Sequence, residues 1–514
     1  MFRALFILFL AAILQGCGAG KPHADGSGML VRLADDDAKS LDPQKASDLT
    51  SLRIASDQFE GLTRHAADGS AEAGLASIWQ VEDNGLRWRF HLRPGLRFSD
   101  GTPITARSFA QVFARLRAPA TASPNAALFA GISSITAPAP DEVVVQLKTP
   151  FPALAELLAH PAIAALPMHR IARMGADWTK DRPLVTSGPY QLAEWRLNDH
   201  VLLVRNPNWH DRPAPIAHVE WRPAQDRQSA LRQFLGGEAD TASDFPTERL
   251  EWLNRHRAGQ AHVAPYRGSY YFVFNTRRAP FADKRVRKAL NLALERRLIA
   301  SRIVGAGEKP AWAVVPPRLW SDAIDDRPGW ADWPRQRRLS AARQLLADAG
   351  YDEDHPLDFE IRFNSSTENR RIILAMIDNW RELPVHPRLL NTEATLHFAS
   401  MRRGDFQLAR SGWIGDLSAP ENFLAIYRCD AGPINYSGYC NPLFDHALSK
   451  AMAIDDPARR QNAMRQAEEI LIGDAPVLPV HFYVSKALVS MRVAGWVDNL
   501  ANVHPSRTLR LIDR

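Results

Sequence analysis

The run Phe406-Gln407-Leu408-Ala409-Arg410-Ser411-Gly412-Trp413-Ile414-Gly415-Asp416 constrains this chain more than any other segment. A short apolar stretch delivers a cation, an indole and a carboxylate at three-residue steps, with glycines between them. Glycine lets a second backbone approach closely, and an extended segment ending in a turn presents its edge to a guest chain. The carboxylate at the end of the run suits an amino group. The pattern points to capture rather than covalent chemistry.

At 514 residues the chain exceeds one ordinary core, which favours two or three domains. Apolar content of 46% and charged content of 23% match a folded chain with a mixed surface. The net charge of +6 is spread along the sequence, and clusters such as Arg335-Gln336-Arg337-Arg338 and Arg370-Arg371 read as solvated helix faces. No zinc-finger spacing or basic heptad run supports a nucleic-acid partner.

Arg3 followed by the apolar run Ala4 to Leu14 has the form of a secretory signal, too short to span a bilayer. Leu14-Gln15-Gly16-Cys17 resembles a bacterial lipobox, so residues 1–16 are expected to be a lipoprotein signal peptide and Cys17 the lipidated residue. Residues 17–28, rich in Gly, Ala, Lys, Ser and Asp, read as a tether. Removing Cys17 leaves Cys429 and Cys440, either a disulfide or two isolated thiols.

The rest mixes strands and helices. Leu86, Trp88, Phe90 and Leu92 alternate with polar residues, as do Val143, Val145 and Leu147, which predicts half-buried strands. Thr105 is placed to cap a helix carrying Phe109, Val112, Phe113 and Leu116. Gln191 to Asn206 reads as a hairpin turning near Asn198-Asp199, and Tyr270 to Asn275 as an aromatic strand. Asp283 is expected to open a helix running to Gly305, Ser340 to cap another ending at Gly350, and Pro457 to start a third reaching Gly473. Strands alternating with helices indicate α/β domains.

Several segments, in order, resemble the peptide-binding family of bacterial ABC-transporter solute receptors (extracellular solute-binding protein family 5). They are Leu41-Asp42-Pro43-Gln44-Lys45, Phe59-Glu60-Gly61-Leu62, Trp88 to Arg93 with Phe98 to Ala106, Thr186 to Tyr190, Arg205-Asn206-Pro207, Ala279 to Leu290, and Ala409 to Asp416. The resemblance implies a type II periplasmic-binding fold: two lobes closing on a ligand, plus an extra domain. Lobe I is then expected at 29–63, 178–267 and 484–514, the extra domain at 64–177, and lobe II at 268–483. It also implies a monomeric receptor, lipid-anchored on the extracytoplasmic or periplasmic side, that delivers a short peptide ligand to an inner-membrane ABC permease without cofactor, metal or catalysis.

Within that family the oligopeptide receptors are most similar, through Ala409, Arg410, Gly412, Trp413 and Asp416. By resemblance, Asp416 pairs with the peptide ammonium and Arg410 faces a ligand carboxylate. Trp413 walls a side-chain pocket, and the backbone around Ser411, Gly412 and Trp413 pairs with the peptide main chain. Tyr270 and Asn369 are further expected ligand-binding residues, and Asp48 and Leu49 are placed to flank the peptide. Read without the resemblance, Arg410 is equally suited to an internal ion pair with Asp405, Trp413 and Tyr270 to ordinary cores, and Asp416 and Asn369 to turns.

Three departures from the family pattern stand out. The places where some relatives join two strands by a disulfide are Gly268 and Ile414, so that bridge is missing. Asn369 stands where a family histidine serves the ligand carboxylate, and an aromatic near the ligand entry is replaced around Asn125. A receptor of the same fold for a murein peptide or a non-peptide such as a metal chelate is therefore an alternative. An exported hydrolase using the Asp416/Glu421 carboxylates is a rival from another class, without Gly-x-Ser-x-Gly, His-Glu-x-x-His or P-loop to support it.

Overall fold

The computed structural model describes residues 28–320 and 327–512. The expected signal peptide, Cys17 and most of the tether lie outside the described residues.

The aromatic strand expected at Tyr270 to Asn275 belongs to a longer one, Ala261–Phe274. Its side chains alternate between two cores: Tyr270, Phe272 and Phe274 enter one, Tyr271 and Val273 the other. A strand buried on both faces has no polar side to show, which explains the unbroken apolar pattern. It pairs antiparallel with Leu408–Ile414 on one side and with Val477–Val489 on the other.

These two long strands join the halves of an 11-stranded sheet. One half holds Leu357–Asn364 and Val385–Thr392 beside Leu408–Ile414. The other holds Met29–Ala34, His218–Pro223 and the hairpin Tyr190–Arg196/His200–Arg205. The pairing of Ala261–Phe274 with Val477–Val489 loses its register between Pro265 and Ser269, so the crossing strands are interrupted where one half passes into the other.

A separate four-stranded antiparallel sheet is built from Ala76–Glu82, Arg87–Leu92, Glu142–Leu147 and Ile132–Ala139. Helix Ala106–Arg117 begins after Thr105 and buries Phe109, Val112, Phe113 and Leu116. Their burial at i, i+3, i+4 and i+7 is the amphipathic spacing expected of a surface helix.

The hairpin turns at Asn198, which takes a left-handed φ of 60°. Pro457 does begin the helix Pro457–Asp474, behind an Asp456 cap. Two helices differ from the sequence reading. The helix opened by Asp283 ends at Ala293; the chain then turns at Leu294 and resumes through Arg296–Leu298 into a π-helical turn, Ile299–Val304, closed by Gly305. Buried Arg296 explains the break, because it donates to the carbonyls of Asn291 (2.9 Å) and Pro479 (2.8 Å) and needs that kink to reach both. Ser340 caps nothing: it lies inside helix Arg335–Asp348, which starts after Pro334. Proline fixes φ and lacks an N–H, so the helix begins behind it and a serine farther along has no free N–H to cap.

Candidate ligand-binding site

Strand Leu408–Ile414 explains the three-residue ladder and corrects it. Side chains on a strand alternate faces with period two, so Arg410 and Trp413 project from opposite faces. The Arg410 guanidinium lies over the Tyr270 ring, 4.6 Å from its centroid, and donates to the Tyr483 hydroxyl at 2.8 Å. Trp413 packs on the other core and donates through Nε1 to Asn422 Oδ1 at 3.4 Å. Asp416 lies past the strand, in the turn that follows.

The strand is interior at one end and open at the other. Leu357–Asn364 pairs with it only at Ile361↔Leu408 and Arg362↔Ala409. His397 Nε2 lies 2.8 Å from the Arg410 carbonyl and occupies the next position. From Ser411 to Ile414 the sheet partners are on the Ala261–Phe274 side alone. Those residues leave a short stretch of backbone edge available to a further extended chain.

Glycines shape this edge. A Cβ on Gly412 would stand 2.8 Å from the Tyr483 hydroxyl and 3.0 Å from the Ser269 carbonyl, so only glycine lets Tyr483 lie across the strand. Gly268 and Ile414, the two ends of the missing bridge, are direct register partners. The Tyr483 ring and the Ile414 side chain fill that space: a Cβ on Gly268 would meet them at 2.8 and 3.1 Å.

Asp416 faces a cavity of ≈ 1520 Å³, open solvent included, between the turn Ile414–Leu417 and helix Leu49–Gln58. Its backbone N–H donates to Asn422 Oδ1 at 3.0 Å, so Asn422 positions both Trp413 and Asp416. The carboxylate itself accepts no hydrogen bond and makes no ion pair among the described residues. It is wet but surrounded. Protein displaces enough water to push its pKa above the usual carboxylate value, and the Arg267 charge offsets this only in part.

The other expected site residues lie elsewhere. Tyr270 is fully buried and stacks on His481, ring centroids 4.8 Å apart. Its hydroxyl donates to Asn369 Oδ1 at 2.9 Å. Asn369 is also buried, and its amide donates to the Asn364 carbonyl at 3.0 Å. Both therefore sit beneath Arg410 and hold it from behind, rather than lining the cavity. Buried polar groups need partners, and here Tyr270 and Asn369 supply each other's. Burial drops the His481 pKa to about 4, so a neutral ring backs Tyr270.

Arg410 makes no ion pair with Asp405, which instead lies 3.7 Å from Arg278. Burial alone would lower the Arg410 pKa; the Tyr483 and Tyr270 oxygens outweigh it and keep the guanidinium charged. Ser411 is buried, side chain and backbone alike, with its hydroxyl beside Tyr271. Asp48 is the N-cap of helix Leu49–Gln58, accepting from Ser51 at 2.8 Å, while Leu49 lines the cavity. Asn125 donates to the Ala46 carbonyl at 2.8 Å and braces the loop before that helix. Cys429 and Cys440 are joined as a disulfide outside the cavity.

Sequence reasoning passed over Asn422, Tyr483, Arg53 and the pair Glu156/Ser418. None belongs to a local motif. Tyr483 alone carried a signal, as part of the apolar run ending at Val484.

The chain resembles known proteins along most of its length. The model for bacterial extracellular solute-binding proteins, family 5, matches residues 71–433. The chain is 33% identical over 516 residues to the periplasmic oligopeptide-binding protein OppA of Salmonella typhimurium, covering 96% of this chain and 94% of that one. It is 32% identical over 505 residues to the periplasmic murein peptide-binding protein MppA of Escherichia coli, covering 94% and 93%. The solved structure of E. coli MppA superposes with a TM-score of 0.83 at 30% identity, over 95% of this chain and 99% of the other. Haemophilus influenzae OppA, in complex with RPPGFSPFR, gives 0.81 at 27% identity, over 95% and 100%. The fold is thus that of a type II periplasmic solute receptor. The chain belongs to the bacterial extracellular solute-binding proteins, family 5.

Proposed function

We propose that this protein is an extracytoplasmic receptor that captures short peptides and hands them to an ABC permease, binding its ligand without chemical change. The observation that carries the reading is the Asp416 carboxylate, unpaired beside the open Ser411–Ile414 edge. A carboxylate left without a partner in a partly desolvated site costs stability, and a ligand ammonium removes that cost. Main-chain pairing along the open edge would add affinity without reading side chains, which suits a receptor for many sequences.

In this reading Asp416 holds the peptide amino end, Ser411, Gly412 and Trp413 offer backbone, and Trp413 borders a side-chain pocket. Arg410, steadied by Tyr270 and Asn369, serves a more distant ligand carboxylate. Residues 29–63, 178–267 and 484–514 form lobe I, 268–483 lobe II, and 64–177 the extra domain, with the protein monomeric and anchored by lipid at Cys17. The lost register between Pro265 and Ser269 supports a hinge at the lobe boundary.

The test is mass spectrometry of small molecules released when the purified protein is denatured. Unmodified peptides are the expected result. Recovery of cleavage products from added peptides would indicate an enzyme, and recovery of murein fragments would narrow the ligand to wall peptides.

A further inference from the structure

The charges lining the cavity fall into compensated and uncompensated sets. Glu60 accepts from Trp209 Nε1 (2.6 Å) and lies 2.9 Å from His210. Arg64 reaches Glu72 at 2.9 Å and Asp211 at 2.8 Å, and Arg507 reaches Glu72 at 2.9 Å. Glu156 is bound by Arg267 and Ser418. Arg32 donates to Ser506 Oγ (2.8 Å) and lies over the Trp221 ring. His160 and His504 are neutral, their pKa values lowered by burial to about 4 and about 2, and burial also lowers that of His65.

Arg53 stands apart. It lies on helix Leu49–Gln58, whose Leu49, Leu52, Arg53 and Ser56 line the cavity. Asp57, one helical turn on, is the natural partner for it at i,i+4. Asp57 is already taken: it accepts from Ser506 N (3.0 Å), Ser506 Oγ (2.6 Å) and Trp221 Nε1 (3.3 Å). Arg53 is left half-buried with no hydrogen bond or ion pair among the described residues. At neutral pH, Arg53 and Asp416 are thus the two charged side chains lining the cavity that lack a partner among the described residues, one on each wall. Both act on the hydroxyl of Tyr266, a phenol whose pKa burial raises; Arg267 and Asp35 act on it too. The two charges line the same cavity and, among the described residues, make no ion pair with each other.

Resting on the peptide reading above, we propose that Arg53 binds a ligand carboxylate close to the ammonium held by Asp416, so that the receptor selects peptides with an acidic residue at the first or second position. A guanidinium satisfies a carboxylate with two parallel bonds. Because Arg53 and Asp416 come from opposite walls, such a ligand bridges the cavity and rewards its closure. The same chemistry is offered by the terminal carboxylate of a dipeptide.

The experiment is calorimetric titration of ligand-stripped protein with Glu-Ala-Ala, Ala-Glu-Ala, their glutamine isosteres, Ala-Ala-Ala, Ala-Ala and Ala-Ala amide. The wild type is expected to bind one of the glutamate peptides about tenfold more tightly than its isostere. Arg53→Gln should bring that ratio to about one while changing Ala-Ala-Ala affinity less than about twofold. Arg53→Glu should reverse the preference in favour of lysine at the same position. A preference for Ala-Ala over its amide that Arg53→Gln abolishes would keep the carboxylate at Arg53 but assign it to the peptide terminus. An acid/isostere ratio unchanged by Arg53→Gln, or no carboxylate preference in the wild type, would overturn the proposal while Ala-Ala-Ala binding left the peptide reading intact. No binding of any peptide would overturn both. Melting curves of the variants show whether they are folded.

Discussion

Glu156 and Ser418 are 262 positions apart and hydrogen-bonded twice: the Ser418 N–H donates to Glu156 Oε2 at 2.9 Å and its hydroxyl to Oε1 at 3.1 Å. Arg267 joins the same carboxylate. Glu156 belongs to helix Leu154–Leu157, in the segment that carries the four-stranded sheet. Ser418 lies two residues after Asp416. The turn that carries the Asp416 carboxylate is therefore held in place by a clasp to a different part of the fold.

Removing the clasp should loosen the cavity. Glu156→Ala leaves Arg267 and the Ser418 N–H without this partner, and charge-assisted bonds of this kind carry enough energy to weaken binding by roughly tenfold or more. The loss is expected mainly in the dissociation rate, measured by stopped-flow tryptophan fluorescence, with a larger radius of gyration for the ligand-loaded protein. An unchanged dissociation rate would sink this role.

Asp416→Asn tests the amino-end anchor. Binding of free-amino peptides should fall by one to two orders of magnitude, roughly what a charged hydrogen-bonded pair contributes, while N-acetylated peptides change little. The ligand-free variant should melt slightly higher at neutral pH. A carboxyl whose pKa is raised by folding destabilises the fold above that pKa, and asparagine removes the charge. Equal losses for the two peptide sets would take Asp416 out of this role.

Binding should also depend on pH with a definite sign. In the proposed reading a ligand ammonium pairs with ionised Asp416, whose pKa in the free protein lies above the ordinary carboxylate value. Affinity is then complete at neutral pH and declines as pH falls through that raised pKa, before exposed carboxylates titrate. Titrations from pH 7 downward should show the decline for free-amino peptides and a flat profile in Asp416→Asn.

Gly412→Ala should damage the open edge. The added methyl meets the Tyr483 hydroxyl and the Ser269 carbonyl, and overpacking of this kind costs about 1–3 kcal/mol. Tyr483→Phe removes one of the two clashes, so the double variant should lose less than the sum of the single losses. Urea denaturation of the four proteins gives the comparison, and additivity would mean that Tyr483 is not the obstruction.

Cys429→Ser with Cys440→Ser should lower stability by about 2–3 kcal/mol through the freed loop. Peptide affinity should be nearly unchanged, because the disulfide lies outside the cavity lining. A large affinity loss in calorimetry would contradict that separation.

Local periodicity made much of this fold legible. Period two marked Arg87–Leu92 and Glu142–Leu147, helical spacing marked Ala106–Arg117, and the aromatic run marked a strand, which the packing buries on both faces. The ordered segments from Leu41 to Asp416 carried the family, and the terminal carboxylate of the 406–416 run does reach the cavity. Arg296 is an exception: its bonds to the carbonyls of Asn291, in the preceding helix, and of Pro479, far along the chain, ended a helix that spacing alone would have continued.

Whether a polar side chain is exposed, paired or left waiting is a property of distant neighbours. Tyr270 and Asn369 satisfy each other, and Asp57 is claimed by Ser506 and Trp221 before Arg53 can use it. The partner strand leaves Leu408–Ile414 after Ala409, which opens the edge. Local spacing accounts for most of the strands and helices, because it sets which side of each is apolar. That Arg53 and Asp416 share one cavity without a partner among the described residues depends instead on which far-off segments pack across it and which hydrogen bonds those segments have already used.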